Sequence, residues 1–534
     1  MAGYEWAMLG LQATWLLFIF AFGACCGSLI NVLVYRLPLG LDVMLAGSRC
    51  PACETPLTWR ENIPVFGWVF LRGRCRFCKS RISAEYPLVE LVTGLLFAGV
   101  YALWYIVPAD AVWLGVPWGQ IRPEWALTDR WDGWPRATWP MFTALILLLG
   151  SLVAMTLVDA KTFTIPLALP WFATVAGVLF HTAGGILVQS GRGGKLATTA
   201  PGWIWTLPTP GGSEPSTHGA WWWIGASFGG IAGIGLSLIF VRFGLIRRSF
   251  DDYAAWEAEV LKAQGLNADV AAAVDPHAEA SANLVSERSG QGVQAVVRFT
   301  TVWIVATIGL GALVGVAGPS MGIKPWAGWV VGALLGPVLS ALVIRGSAPK
   351  PIAPTGSNEP AAPDLWIAYP HARREMLKEL IFLTPCLGLG WLSGALASHW
   401  AGQTAPLWLL ALTGSLMGYL IGGGVVWAIR IGGSLAFGKE AMGLGDVHMM
   451  AAVGACIGWI DAALAVPLAA VVGLYCFVLF ALANRPAGRA MPFGPYLAAA
   501  TLLVILGKPL IELGLNTLLG ANIPGSGIPS VNLP

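Results

Sequence analysis

Two aspartates lie at the ends of apolar segments. Asp446 closes a Gly-x-Gly-Asp string at 443–446, just before an apolar stretch, and Asp159 ends the apolar run 141–158. Ionisable residues in such places are costly in a membrane and are usually functional. If the two meet, one carboxylate can deprotonate water while the other, still protonated, polarises a peptide carbonyl. The pattern predicts that Asp159 and Asp446 form a catalytic acid–base pair.

The surroundings of such a pair favour a shared proton. When two carboxyls occupy one poorly solvated site, the first charge opposes the second ionisation, and the titrations belong to the pair. Gly443 and Gly445 are predicted to form the supporting loop, because a chain without Cβ can turn sharply and lets a substrate backbone approach closely. The alternative is a glycine pair that only packs two membrane helices together.

The composition is that of a membrane protein. The chain has 534 residues, is 56% hydrophobic and 11% charged, and has a mean hydropathy of +0.69. Repeated apolar runs of about 20 residues predict an all-α polytopic membrane protein with about 12 transmembrane helices. We expect spans near 9–35, 87–107, 139–158, 166–188, 221–245, 296–318, 326–345, 380–398, 406–430, 447–459, 462–483 and 493–515. The tenth is short enough to be re-entrant, and the first is expected to remain as an anchor, since no basic segment precedes it.

The basic residues indicate an orientation. The loop 36–86 holds eight Lys and Arg against four acids. Because short cytoplasmic loops carry an excess of Lys and Arg, this loop is expected to face the cytoplasm. Alternation then places Asp159, Asp446 and the basic residue Arg430 on the same side. The net charge of +3 follows from this asymmetry, and no basic domain suggests a nucleic-acid partner.

Four cysteines within this loop have the spacing of a metal site. Cys50, Cys53, Cys75 and Cys78 form C-x2-C-x21-C-x2-C, which predicts a small zinc-ribbon-like tetracysteine loop. Four thiolates leave no open position on the ion, so the Zn²⁺ would be structural and not catalytic. Two disulfides are the alternative, which a reducing cytoplasm disfavours.

Several ordered segments together resemble the type IV prepilin peptidases. These segments are residues 27–38, the cysteine loop, residues 86–94, the stretch 438–446 with its Gly-x-Gly-Asp, and Met-Pro-Phe-Gly-Pro-Tyr at 491–496. The resemblance implies an aspartyl endopeptidase that removes the leader peptide of type IV prepilins or pseudopilins at the cytoplasmic face of the bacterial inner membrane. It also implies N-methylation of the new N-terminus with S-adenosylmethionine. The sequence contains no Gly-rich nucleotide fingerprint, so no residues are predicted for that cofactor.

The chain departs from the family pattern in three places. The pair after Asp159 is Pro166-Leu167, where the family commonly has Pro-Asp or Pro-Asn, and His448 stands where Lys is frequent. In addition, 287 positions separate Asp159 from Asp446, far more than is usual in the family.

The long separation predicts an insertion and with it a domain division. We expect an anchor (1–35), the tetracysteine loop (36–86), helices with the first aspartate (87–190), the insertion (191–375) and the membrane domain with the Gly-x-Gly-Asp (376–534). The insertion is expected to include extra helices, a polar cytoplasmic segment at 247–295 and a Pro-rich linker at 346–365.

Three other functions use similar features. Membrane-boundary acids and Gly-broken helices also form the ion sites of ion-coupled transporters. A presenilin-like intramembrane protease uses Gly-x-Gly-Asp too, although it has no use for the cysteine loop and its first acid usually follows Tyr. An inactive scaffold in a pilus or secretion assembly is the third.

Overall fold

A computed structural model gives the architecture. It describes residues 2–39, 48–108 (without 51 and 54), 138–190, 217–253, 369–400, 405–482 and 492–519, with short pieces at 41, 43, 111–113, 116–117, 255–256 and 259. The helices in these ranges are α1 (Ala2–Arg36), α2 (Phe66–Phe70), α3 (Glu85–Tyr101), α4 (Trp139–Thr162), α5 (Ala168–Gln189), α6 (Thr217–Arg242), α7 (Ala372–Ala397), α8 (Leu407–Phe437), α9 (Leu444–Ile457), α10 (Trp459–Leu482) and α11 (Gly494–Leu518).

The helical membrane fold is confirmed. Within the described ranges, nine helices are long and apolar enough to cross a membrane, namely α1, α3 to α8, α10 and α11. The predicted spans at 296–318 and 326–345 lie outside the described residues, as do most of the segment 247–295 and the linker 346–365. A π-helical turn, Ala102–Ile106, extends α3, and a two-residue antiparallel pair, Val112–Trp113 with Val116–Pro117, is a minor addition to an otherwise helical fold.

The short helix α9 occupies the centre of the bundle. Eleven of its residues, Asp446, Val447 and Met449 to Ile457, are buried. It packs against α8 and α5 and also touches α4, α10 and α11. With only 14 residues it rises about 21 Å, too little for a ~30 Å hydrocarbon core. The sequence correctly predicted a short tenth segment at 447–459, which corresponds to α9. Longer helices pack around this short helix.

The outer helices form two further pairs. Helix α1 packs against α3, and the tetracysteine loop connects them. Helices α6 and α7 pack mainly against each other and then against α8. Because α6 lies within the predicted insertion and α7 begins there, this second pair joins the insertion to the helix that precedes the Gly-x-Gly-Asp.

Candidate active site

Asp159 is in the last turn of α4. That helix ends because Phe163 adopts left-handed backbone angles (φ 54°) and its N–H bonds to the Asp159 carbonyl. The Asp159 side chain is only 6% exposed. Two residues further on, Lys161 forms an ion pair with Glu85 at the start of α3. This ion pair therefore holds the end of α4, which carries Asp159, against the start of α3.

Asp446 is the third residue of α9. Gly443 is the N-cap of this helix and lies beside the acid, since a Cβ placed on it would be 3.5 Å from Asp446 Oδ2. The helix dipole favours an anion at this end. Asp446 is 7% exposed, so the acid that begins α9 is nearly as buried as Asp159.

The fold brings the two acids into one neighbourhood. The end of α4 and the start of α9 pack together, with Ile165, just after α4, against Gly445, next to Asp446. A third helix also contributes, because the N–H of Gly494, at the start of α11, donates to Asp159 Oδ2 at 3.1 Å. The start of α11 thus contacts Asp159, while the start of α9 carries Asp446.

The two predicted glycines have different environments. Gly445 packs tightly, since a Cβ placed on it would lie 3.0 Å from Ile165 Cβ. Gly443 has ordinary extended angles (φ −70°, ψ 148°) and is exposed, so its backbone conformation does not require glycine. The sharp turn expected there occurs instead at Gly438, which ends α8 with φ +68°. We call residues 438–445 the catalytic loop.

Two residues that contact the site, Gly494 and Arg430, were not predicted from the sequence to be site residues. Gly494 lies in the recognised 491–496 motif, but only the fold shows that its amide faces Asp159. For Arg430 the sequence predicted only a place on the cytoplasmic side. In the fold it is 2% exposed and donates to Glu440 and Met442 of the catalytic loop. Its position seven residues before the end of the apolar helix α8 was the available signal.

Two other acids near this end of the bundle have different partners. Glu440 pairs with Arg430 at 2.5 Å. Glu90 accepts the N–H of Val65 at 2.6 Å and so ties the tetracysteine loop to α3. Each of these acids is therefore engaged in a structural contact, which leaves Asp159 as the acid whose charge acts on Asp446.

The four cysteines converge as predicted. Cys50 and Cys78 Sγ lie 3.8 Å apart, Cys53 and Cys75 Sγ lie 4.0 Å apart, and all four sulfurs are within 4.8 Å of one another. Tetrahedral Zn–S bonds of ~2.3 Å require sulfurs ~3.8 Å apart, so the cluster fits one Zn²⁺. None of the four is in a disulfide. Hydrogen bonds from the hydroxyl and backbone of Ser80 lower the pKa of Cys78 to about 6, toward the thiolate that metals bind.

Comparison with known proteins supports the resemblance. A family model described as the Bacterial Peptidase A24 N-terminal domain matches residues 21–104, which include the C-terminal part of α1, the tetracysteine loop and α3. A Klebsiella pneumoniae protein named prepilin leader peptidase/N-methyltransferase is 31% identical over 204 residues, covering 36% of this chain and 75% of that relative. The chain belongs to the prepilin leader peptidase/N-methyltransferase family.

Other members of the family align over different extents. The Aeromonas hydrophila prepilin leader peptidase/N-methyltransferase is 31% identical over 236 residues, covering 38% of this chain and 70% of the relative. The Myxococcus xanthus protein of the same name is 52% identical over 80 residues, so the chain spans only 24% of that relative. No solved structure matches this chain. The family resemblance drawn from the motifs is confirmed, while more than half of the chain lies outside each of these alignments.

Proposed function

We propose that the chain is a membrane aspartyl endopeptidase in which Asp159 and Asp446 hydrolyse the peptide bond after the leader of type IV prepilins or pseudopilins. The observation that carries the proposal is that two buried acids, Asp159 and Asp446, lie where the end of α4 and the start of α9 pack together, with Ile165 against Gly445. Family membership favours this function over an ion-coupled transporter or a presenilin-like protease, and the tetracysteine loop has no role in either alternative.

The chemistry follows from the pair. One carboxylate takes a proton from water as the water oxygen attacks the peptide carbonyl carbon, and the other carboxyl donates a hydrogen bond to the carbonyl oxygen. The tetrahedral intermediate then collapses, the C–N bond breaks and the leaving amine takes up a proton. The amide of Gly494 holds the Asp159 carboxylate in place, so this group needs little reorganisation during the reaction.

The substrate and orientation follow from the relatives and the charges. The relatives' name indicates prepilins, and the basic loop 36–86 favours a cytoplasmic active site in the bacterial inner membrane. A precursor held by its apolar helix in the lipid bilayer would present its leader at this face.

Two further groups complete the proposal. Cys50, Cys53, Cys75 and Cys78 would hold a structural Zn²⁺ that fixes the shape of the tetracysteine loop. N-methylation of the new N-terminus with S-adenosylmethionine is proposed from the relatives' name alone. The described residues point to no binding place for that cofactor, so the proposal assigns no residue to the methylation step.

The proposal is tested by purifying the protein into lipid vesicles with a prepilin substrate. Asp159→Asn and Asp446→Asn should each reduce cleavage by roughly 10³-fold or more, and the double variant should be no worse than either single variant, because the two acids act as a unit. Glu90→Gln is the control, since its amide oxygen can still accept the Val65 N–H, and it should cleave normally.

Retained cleavage by Asp159→Asn would mean that another acid partners Asp446. Failure of the unsubstituted protein to cleave any prepilin, together with uptake of a solute into the vesicles, would favour the transporter.

A further inference from the structure

Arg430 is a buried cation that contacts the catalytic loop at two points. Its Nη1 donates to Glu440 Oε1 at 2.5 Å and to the backbone carbonyl of Met442. Met442 immediately precedes the Gly-x-Gly-Asp. The charge of Arg430 also acts on Asp446. One guanidinium thus connects the end of α8 to the loop that leads into the second aspartate.

The opposite edge of the Arg430 guanidinium binds a carboxylate from a different helix, α7. Glu379 of α7 accepts from Arg430 Nη2 at 3.1 Å and from Nε at 3.2 Å. The same carboxylate accepts from Trp427 Nε1 at 2.7 Å. Glu379 is 4% exposed. A planar guanidinium bound on two edges has its orientation fixed, which a lysine ammonium cannot reproduce.

The start of α7 makes a second contact with the same region. Arg373 Nε donates to the Leu435 carbonyl at 2.9 Å and Nη2 reaches the Ala436 carbonyl at 3.4 Å. These carbonyls are in the last turn of α8, where a cation also complements the helix dipole. Helix α7 therefore holds the end of α8 just before the catalytic loop begins.

The segment that follows α6 completes the arrangement. The ring centroid of Phe250 lies 5.6 Å from Arg430 Cζ. The backbone N–H of Phe250 donates to Glu375 of α7 at 2.7 Å. Two residues later, Asp252 accepts from Tyr369 at 2.7 Å and from Arg374 at 2.6 Å. Residues 249–253, from within the insertion, and residues 369–379, at its end, therefore meet around Arg430.

We infer that Arg430 is a positioning residue that sets the catalytic loop for cleavage, and that Glu379, on a helix that begins in the insertion, keeps Arg430 oriented for this role. This rests on the proposed peptidase function for its catalytic readout. It also gives the insertion a task, because Phe250 packs on the Arg430 guanidinium and its backbone N–H binds Glu375, on the helix that carries Glu379.

The test uses the double variant Glu379→Gln/Arg430→Gln. Removing both charges leaves neither member of the pair as an unpaired buried ion, so the bundle should fold, whereas removing one partner of a buried pair is strongly destabilising. Amide hydrogen exchange at Ala441, whose N–H donates to Ser434 Oγ at 3.0 Å, reports the order of the loop without any substrate. We expect exchange at Ala441 to accelerate about tenfold or more, and kcat to fall roughly 10- to 100-fold with little change in KM.

The matched control is Asp461→Asn/Lys508→Gln. This pair is also buried, with Nζ and Oδ2 3.4 Å apart, but it lies beyond the other end of α9. It should leave exchange at Ala441 and kcat unchanged. Arg430→Lys, which keeps the charge but not the two-edged geometry, should lose kcat like the double variant.

Unchanged exchange at Ala441 in the double variant, equal effects in the control pair, or full activity of Arg430→Lys would overturn the inference. If loop exchange responds as expected but the unsubstituted protein cleaves no prepilin, the positioning role stands and the proposed function fails.

Discussion

The backbone N–H of Gly494 and the Oδ2 of Asp159 lie 3.1 Å apart across 335 positions of sequence. The last described helix therefore begins with its first amide directed at the first aspartate. A side chain on Gly494 would interfere with this contact, because its Cβ would lie 2.6 Å from the same carboxylate oxygen.

Gly494→Ala should for this reason displace the Asp159 carboxylate and reduce kcat roughly 100-fold, the effect expected of a misplacement near ~1 Å. The measurement is cleavage of a prepilin in vesicles, with the unfolding temperature as a check on folding. Gly507→Ala in the same helix is the matched control, since a Cβ there meets nothing within 4 Å. Equal activity of the two variants would show that the Gly494 contact is unimportant.

The two glycines of the Gly-x-Gly-Asp should differ in their tolerance of alanine. At Gly445 an added Cβ lies 3.0 Å from Ile165 Cβ, whereas at Gly443 the nearest atom, Asp446 Oδ2, is at 3.5 Å. Gly445→Ala should therefore lose more activity than Gly443→Ala in the same cleavage assay. The reverse order would indicate that Gly443 is needed for close approach of the substrate and not for packing.

Loss of one cysteine should release the metal. Cys75→Ser removes one of four converging thiolates, so zinc bound per purified protein should fall from about one to near zero. Cys25→Ser, on an exposed position of α1 outside the cluster, should keep its zinc. Metal analysis with a thiol assay provides the measurement, and zinc-free unsubstituted protein with two disulfides would contradict the prediction.

The attachment of the insertion should depend on pH through Asp252. Hydrogen bonds from Tyr369 and Arg374 lower the pKa of Asp252 to about 2, below the ~3.9 of an unfolded aspartate. A lowered folded pKa stabilises the protein above pH ~4, and this contribution disappears as the pH falls through about 2. The difference in unfolding temperature between the unsubstituted protein and Asp252→Asn should be constant above pH ~4 and shrink below it. A difference that stays constant as the pH falls to about 2 would contradict the prediction.

The parts of the site that the sequence predicted are those defined by local spacing. The Gly-x-Gly-Asp string and the two C-x2-C pairs each lie within a few residues, so their geometry depends little on the rest of the fold. The apolar runs likewise predicted the helices, because length and hydropathy are sufficient for a membrane span. The pairing of Asp159 with Asp446 was predicted from membrane side and family resemblance, and its catalytic role stays a prediction.

Contacts between distant helices could not be predicted in the same way. Glu379 and Arg430 are 51 positions apart, and nothing in either helix indicates which residues face each other. Arg430 was predicted only to lie on the cytoplasmic side, because short cytoplasmic loops carry the excess of Lys and Arg. Only a buried partner stabilises it in the bundle, and the identity of that partner depends on how α7 packs against α8.

The short central helix α9 has a consequence for water inside the bundle. Its ~21 Å rise is about 9 Å less than a ~30 Å hydrocarbon core, and α4, α5, α8, α10 and α11 surround it. The difference therefore lies inside the bundle, next to neighbouring protein and not next to lipid acyl chains. Irregular backbone at membrane depth is tolerated where it is buried in protein or lines a water-filled cavity, so the ends of α9 are where the hydrolytic water of the proposed reaction can enter the bundle.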